Sequence, residues 1–291
     1  MLDKIYFEYS KNIGKNDFLS RIKRYFFKEV YSVLFMLLCF FKKPNLNNIN
    51  NTIIISLTTF PDRIDKTWLV VESLLNQTYK PSKIVLTLSL KQFSGVEALP
   101  KKLIEQQKRG LEILWTDDDI RSHKKYYYVM KKYPKHIVVT VDDDFLYSKG
   151  MLEVLVKFSE QYPDCVIANL AAQKNGNNYK DWKNLLFSRV EPSKEIMQYG
   201  GSGVLYPPGI LHSDAFDKEK ILELCPLADD IWLNYMTILN EKKIVKTDYK
   251  YYLIPISFKS KAALKNINVG EDMNTIQIKK LNDHYLLKNK A

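Results

Sequence analysis

The stretch HIVVTVDDDFLY, from His136 to Tyr147, decides how the chain is read. Its first half is an uncharged, β-branched run, as expected of a strand buried on both faces of a sheet. Its second half sets three carboxylates, Asp142, Asp143 and Asp144, directly at the strand's end. Like charges at this spacing repel, and burial sharpens the repulsion. Either the three side chains are solvated in a turn, or a divalent cation gathers them. VVTV before the acidic run and FLY after it leave little room for solvation, which favours the cation. Hard oxygen ligands suit Mg2+ or Mn2+, and such an ion can bridge a diphosphate.

Working outward, TIIISLT (Thr52–Thr58), KIVLTLSL (Lys83–Leu90) and LEILWT (Leu111–Thr116) repeat the strand pattern, and Cys165–Asn169 resumes it. Helical spacing appears after Asp65, where Trp68, Val71, Leu74 and Leu75 share a face. Further helices are predicted over Pro100–Arg109, stopped by Gly110, over Lys124–Tyr133, and from a Ser148 cap to about Gln161. Strand and helix in alternation specify an α/β fold with a mostly parallel sheet and crossover helices. Ligands of such sheets sit outside the carboxyl ends of the strands. The loops after Thr58, Leu90, Thr116 and Val141 are therefore where chemistry is expected.

The 291 residues are 46% hydrophobic and 26% charged, with only 10 Gly and 11 Pro, which excludes a disordered, collagen-like or disulfide-stapled chain. Cys39, Cys165 and Cys225 form no CxxC or Cys/His pattern, so reduced thiols in a cytosolic setting are expected rather than a zinc site. The net charge of +11 points to anionic partners: nucleic acid, membrane phospholipid or a phosphorylated small molecule. Residues 1–51 carry nine basic and four acidic residues, +5 of that total. They also hold VYSVLFMLLCFF, Val30–Phe41, an uncharged run preceded by Arg21, Lys23, Arg24 and Lys28 and followed by Lys42 and Lys43. It is short for a span, which needs ~20 apolar residues. The expectation is a helix lying in an anionic membrane interface, peripheral or monotopic; the alternative is a helix packed on the main domain or on another subunit. KPNLNNINN (Lys43–Asn51) reads as a linker, so residues 1–51 form a membrane-association segment and 52–291 the main domain.

VTVDDDFLY resembles the DXD motif of nucleotide-sugar-dependent glycosyltransferases of the GT-A fold. SLTTFPDRI followed by ESLLNQTYKPSKIVL resembles their opening strand-helix-strand, especially in family 2-like bacterial enzymes of capsule and surface polysaccharide synthesis. The resemblance covers about residues 52 to 240. It implies a divalent ion on Asp142 and Asp144 gripping the donor diphosphate, with Asp143 facing the donor sugar or ribose. It also implies that the first loop, carrying Thr59 and Arg63, lies against the donor nucleotide. Arg63 either pairs with phosphate through its planar fork or makes a structural Arg–Asp pair.

Three further clusters fall after strands or at a helix start. In TDDDIRSHKKYY (Thr116–Tyr127), Arg121 and Lys125 can offset diphosphate charge. Of Asp117, Asp118 and Asp119, at most one is expected in the site; the others cap a helix or are solvated. YGGSGVLYPPG (Tyr199–Gly209) carries glycines, Gly201 among them, that let backbone approach a ligand. The similar segment of the family lines the donor-sugar and acceptor pocket. In Ala228-Asp229-Asp230-Ile231-Trp232 the resemblance implies that one carboxylate is the general base, Asp230 slightly favoured; capping of the following helix is the alternative. His136 and His123 are expected to be structural or loop residues, and His212 and His284 are candidates for a further metal ligand.

The function these features imply is metal-dependent transfer of a sugar from a nucleoside diphosphate donor, UDP favoured. The acceptor is a glycan or lipid-linked saccharide, the stereochemistry inverting by resemblance, and the location the cytoplasmic face of the plasma membrane. A retaining transferase and a basic nucleic-acid-binding protein are the rivals. Acidic clusters at strand ends repel nucleic-acid phosphate unless a metal intervenes, so nucleic acid is not expected as a partner.

Overall fold

The computed structural model describes residues 1–41, 43–46, 49, 51–256 and 272–285. Strands form at β1 (Ile53–Thr58), β2 (Lys83–Ser89), β3 (Leu111–Thr116), β4 (Ile137–Thr140), β5 (Phe145–Leu146), β6 (Cys165–Ala168) and β7 (Ala171–Gln173). They continue with β8 (Lys183–Leu185), β9 (Val190–Ser193), β10 (Ile196–Gln198), β11 (Val204–Tyr206), β12 (Lys243–Lys246) and β13 (Ile254–Pro255). The helices are α1 (Leu2–Ser10), α2 (Phe18–Phe41), α3 (Pro61–Leu75), α4 (Lys101–Gln106), α5 (Lys124–Lys132), α6 (Met151–Gln161), α7 (Lys218–Leu224), α8 (Asp229–Leu239) and α9 (Met273–Tyr285).

Eight strands form the main sheet in the order β3-β2-β1-β4-β11-β6-β12-β9. The first four are parallel, β6 and β12 are parallel, and only β11 and β9 run against their neighbours. The expected mostly parallel α/β architecture is thus present. Alternation along β1 explains why its sequence is apolar throughout. Ile53, Ile55 and Leu57 pack with Leu74 of α3 and Leu155 of α6 on one face. Ile54 packs with Val129 of α5 and Val138 on the other. Beyond β4 the second face is filled by Val204, Tyr206 and Val166 against Trp232 and Met236 of α8 and Ile278 of α9. A fully buried Leu or Ile contributes about 1.5–3 kcal/mol over leaving it in water, so this two-sided burial is what holds the sheet between its helices.

Two boundaries differ from expectation. α3 begins at Pro61, with extended Phe60 as N-cap, because proline at the first helical position has the required φ and no N–H to satisfy. Arg63 therefore stands in the first helical turn, not in a loop. α6 begins at Met151 with Gly150 as N-cap; the Ser148 hydroxyl instead hydrogen-bonds Tyr249 Oη at 2.5 Å.

Residues 1–41 form a helical pair packed on the body. Tyr6, Tyr9, Tyr31 and Phe35 are buried with Leu146 and Ile254. Among the described residues no helix is long and apolar enough to cross a membrane. Part of the expected linker is also anchored. Leu46 N–H donates to Arg109 C=O (3.0 Å), and Gly110, at φ +110°, has no room for a Cβ, which would lie 2.6 Å from Leu46 Cβ. Toward the C-terminus the chain forms β13 and α9, and residues 257–271 lie outside the described residues.

Glu72 of α3 is 4% exposed and accepts both arms of Arg109 (2.5 and 2.9 Å) and Gln106 Nε2 (2.9 Å), while Arg109 Nε donates to Pro44 C=O (2.8 Å). Replacing one partner of such a pair leaves a charge without compensation. Glu72→Ala is expected to lower unfolding stability by about 3 kcal/mol in urea titration, against less than about 0.5 kcal/mol for an exposed control such as Glu160→Ala.

Candidate active site

The crossover from β1 through α3 leads to β2 on one side, and the chain returns through α5 to β4 on the other. Such a reversal opens a crevice at the carboxyl ends of the two central strands. The register pairing Ser56 with Thr140 carries Thr59 level with Asp143. Thr59 Oγ1 donates to Asp143 Oδ2 at 2.5 Å, and Arg63 Nη1 lies 2.6 Å from Asp143 Oδ1 and 3.0 Å from Asp144 Oδ2. The crevice widens into a cleft of about 860 Å3, a size suited to a small ligand.

Lys125 rises from the first turn of α5 into the floor of this cleft and is 3% exposed. Its Nζ lies 2.7 Å from Asp142 Oδ1 and 2.8 Å from Asp229 Oδ2, joining the acidic run after β4 to the pair that opens α8. Burial opposes its charge, but Asp142, Asp229 and Asp230 outweigh that and hold the amine protonated, with its pKa well above the ordinary lysine range. The sequence expectation had this lysine offsetting diphosphate charge; in the structure its nearest anions are the protein's own carboxylates.

The YGGSG segment forms the opposite wall. A Cβ on Gly200 would lie 2.4 Å from Asp230 Oδ1, and one on Gly201 would lie 2.9 Å from Asp142 Oδ2. These positions are glycine because backbone is pressed against two carboxylates. Tyr147, fully buried, ties the wall to the floor: its hydroxyl accepts from Asp142 N–H (2.9 Å) and donates to Gly201 C=O (2.7 Å).

The carboxyls differ in environment. Asp143 is pushed up by burial, against the Arg63 guanidinium and the Thr59 hydroxyl. Burial, with Asp142 beside it, pushes Asp144 up to about 7, and its Oδ1 is buried without a hydrogen-bond partner. Burial and the neighbouring Asp229 push Asp230 up to about 8. Neither Asp229 nor Asp230 makes a side-chain cap bond on α8, whose N-cap is Ala228, so hydrogen-bonded capping does not explain the pair.

Thr59, Arg63, Arg121, Lys125, Asp142, Asp143, Asp144, Gly201, Asp229 and Asp230 all line this one cleft. Arg121 stands at its rim with φ +53°, a strained conformation for a side-chain-bearing residue. Of the three aspartates after β3, only Asp119 reaches the cleft, paired with Lys124; Asp118 pairs with Lys218 and Tyr128. His212 accepts from Asp214 N–H at the start of a short helix, and His284 is exposed beside Tyr285; neither lines the cleft. His123 is buried, with Nε2 2.8 Å from Cys225 C=O, and burial lowers it to about 4. Sequence reasoning did not single out Tyr147, Tyr252, Leu253 or Asn274, all of which shape the cleft or its wall. Among the described residues no group of three or more His, Cys, Asp or Glu is arranged as a metal site. The donors available to a cation are Asp142 and Asp144, whose charges Lys125 and Arg63 meet here. A hard cation fits that pair through the free Oδ1 of Asp144.

No protein-family model matches the sequence, and no curated protein matches it. Among solved structures, the mannosyltransferase PcManGT from Pyrobaculum calidifontis, in complex with GDP-Man and Mn2+, is 11% identical; the match covers 100% of this chain and 77% of that one, with TM-score 0.50. S. aureus TarS 1-349 is 15% identical over 70% of this chain and 60% of its own, TM-score 0.46. GalNAc-T7 with UDP, GalNAc and Mn2+ is 13% identical over 70% and 43%, TM-score 0.48. The chain thus spans less than two thirds of TarS and GalNAc-T7. The likeness to the mannosyltransferase shows the fold, a GT-A arrangement of a mostly parallel sheet between helices.

The raised Asp144 carboxyl makes stability depend on pH. Between its ordinary value of 3.8 and about 7, the folded protein holds a proton that the unfolded chain has released. The associated stability is fully present below 3.8 and is lost as pH rises through about 7. Thermal unfolding without divalent ions is therefore expected to show Asp144→Asn gaining on the wild type as pH rises from 4 to 8. Parallel pH profiles of the two proteins would refute the burial of this charge.

Proposed function

We propose that the protein is a GT-A glycosyltransferase that moves a sugar from a nucleoside diphosphate donor to a hydroxyl of a glycan or lipid-linked saccharide, with inversion. The observation that carries this is the meeting in one cleft of the acidic run after β4, the pair opening α8 and the glycine wall, at the edge where a GT-A sheet binds its ligand. The mannosyltransferase of like fold, held with GDP-Man and Mn2+, supports the choice of ligand class.

Asp142 and Asp144 would hold Mn2+ or Mg2+, which supplies positive charge to a leaving diphosphate. Arg63 is placed to reinforce that charge, since its guanidinium already bridges Asp143 and Asp144. Asp143, fixed by Thr59 and Arg63, keeps the first turn of α3 against the motif. Asp229 is committed to Lys125 and so serves charge balance. That leaves Asp230 as the general base: burial and its neighbour raise its affinity for a proton into the range that suits transfer near neutral pH. A uridine donor is favoured, and the acceptor is a saccharide hydroxyl reaching the glycine wall.

Thermal-shift screening of uridine and guanosine diphosphate sugars with Mn2+ is expected to find one donor that stabilises the protein, and Asp144→Asn to abolish that shift. Asp230→Asn is expected to retain donor binding while lowering turnover by on the order of 100-fold or more. Absence of any metal-dependent shift across both nucleotide series would sink the proposal.

A further inference from the structure

α2 has two apolar faces, and the body of the protein covers one. Tyr31 and Phe35 are 4% and 3% exposed, stacked on each other, with Tyr31 edge-on to Tyr6 of α1. On the opposite side, Ile22, Phe26, Val33, Met36 and Phe40 recur at spacings of four, seven, three and four, which places them on one helical stripe. Ten large apolar side chains of this 24-residue helix are exposed among the described residues, Phe26 at 58% and Phe40 at 61%. A stripe of this kind on a soluble domain marks an interaction surface.

Charge identifies what it meets. By helical position Arg21 and Lys28 stand along one margin of the stripe and Lys23 along the other. Arg21 and Lys23 are exposed with no carboxylate partner among the described residues. At the far end Lys102 of α4 lies 5.3 Å from the Phe40 ring, with exposed Lys101 beside it. Within the helix the one acidic residue is Glu29, already 3.6 Å from Lys28. By helical position Glu29 lies on the stripe itself, so a second copy of the same face would set one carboxylate per copy, already shared with Lys28, against Arg21 and Lys23. No described helix is apolar enough to cross a bilayer, whereas an apolar stripe edged with Lys and Arg suits a helix lying in the plane of anionic headgroups.

We infer that the outer face of α2 docks the protein on an anionic phospholipid surface, with the helix parallel to the membrane and its apolar stripe at the headgroup boundary. The docked element is joined to the cleft. Tyr6 Oη of α1 donates to Leu146 C=O (2.7 Å) and accepts from Ile254 N–H (3.3 Å), and Ser10 Oγ accepts from Tyr252 N–H (2.8 Å). Tyr252 and the neighbouring Leu253 line the cleft, so lipid contact is made by an element that also braces the cleft wall.

The test is co-sedimentation of the full chain with vesicles of phosphatidylcholine alone and of phosphatidylcholine mixed with phosphatidylglycerol. Binding is expected to the mixed vesicles and to weaken as salt is raised. The triple variant Phe26→Ser/Val33→Ser/Phe40→Ser is expected to stay in the supernatant with an unchanged melting temperature. Arg21→Gln/Lys23→Gln is expected to weaken partitioning by about fivefold for each charge removed and to flatten the salt dependence. Equal binding to both vesicle types, or none to either, overturns the inference. So does a concentration-dependent dimer that forms without lipid and is dissolved by the triple variant. Vesicle binding is read separately from donor binding in solution, so failure here leaves the transferase proposal standing, and the reverse.

Discussion

Lys125 Nζ lies 2.7 Å from Asp142 and 2.8 Å from Asp229, with almost no access to water. Five acidic residues, from the end of β4 and the start of α8, converge on this cleft. Without an internal cation their mutual repulsion, in surroundings that screen poorly, would drive α8 away from the sheet. The ammonium makes the convergence possible, and it does so from a helix whose own placement depends on β1, since Ser56 Oγ donates to Lys125 C=O at 2.5 Å. At the cleft the sheet, helix α5 and helix α8 thus meet at one residue, through its backbone carbonyl and its ammonium. The glycine wall then closes on the carboxylates at distances that no larger residue permits.

The compensation of these charges is uneven. Asp142, Asp143, Asp144 and Asp229 each have a cation within 3.0 Å, while Asp144 also keeps its other oxygen buried without a hydrogen bond and Asp230 is raised by burial and by its neighbour. In the proposed reaction Asp144 shares the metal with Asp142, and Asp230 takes the proton. A site arranged to receive a dication and a diphosphate together is expected to be electrostatically incomplete before they arrive.

The parallel half of the sheet was legible because β1, β2 and β4 are buried on both faces, which forces near-continuous apolar, β-branched runs, and because their loops fall on one edge. The acidic run after β4 and the pair before IWLNYMTIL were legible for the same reason: charge abutting a buried element demands an explanation. The antiparallel insertion of β11 was not, since VLY is three residues long and its direction is set by Tyr206 and Val204 pairing with β4. The contacts of Lys125 were also hidden, because they arise only when α8, far along the chain, folds back on the cleft. The start of α3 was misplaced through neglect of Pro61 as a helix opener, and with it Arg63 moved from a loop into a helical turn.

The bonds from Tyr6 and Ser10 to Leu146, Tyr252 and Ile254 bear on how the protein can be handled. A boundary drawn near residue 51 suggests trimming the greasy N-terminal pair to obtain a better-behaved fragment. Such a fragment would uncover the apolar surface of Leu146 and Ile254 and leave a backbone N–H and C=O without their tyrosine partner. It would also lose the brace behind Tyr252 and Leu253. The helical pair belongs to the domain's architecture as a buttress, and solubility is better sought by recolouring its outer stripe than by amputation.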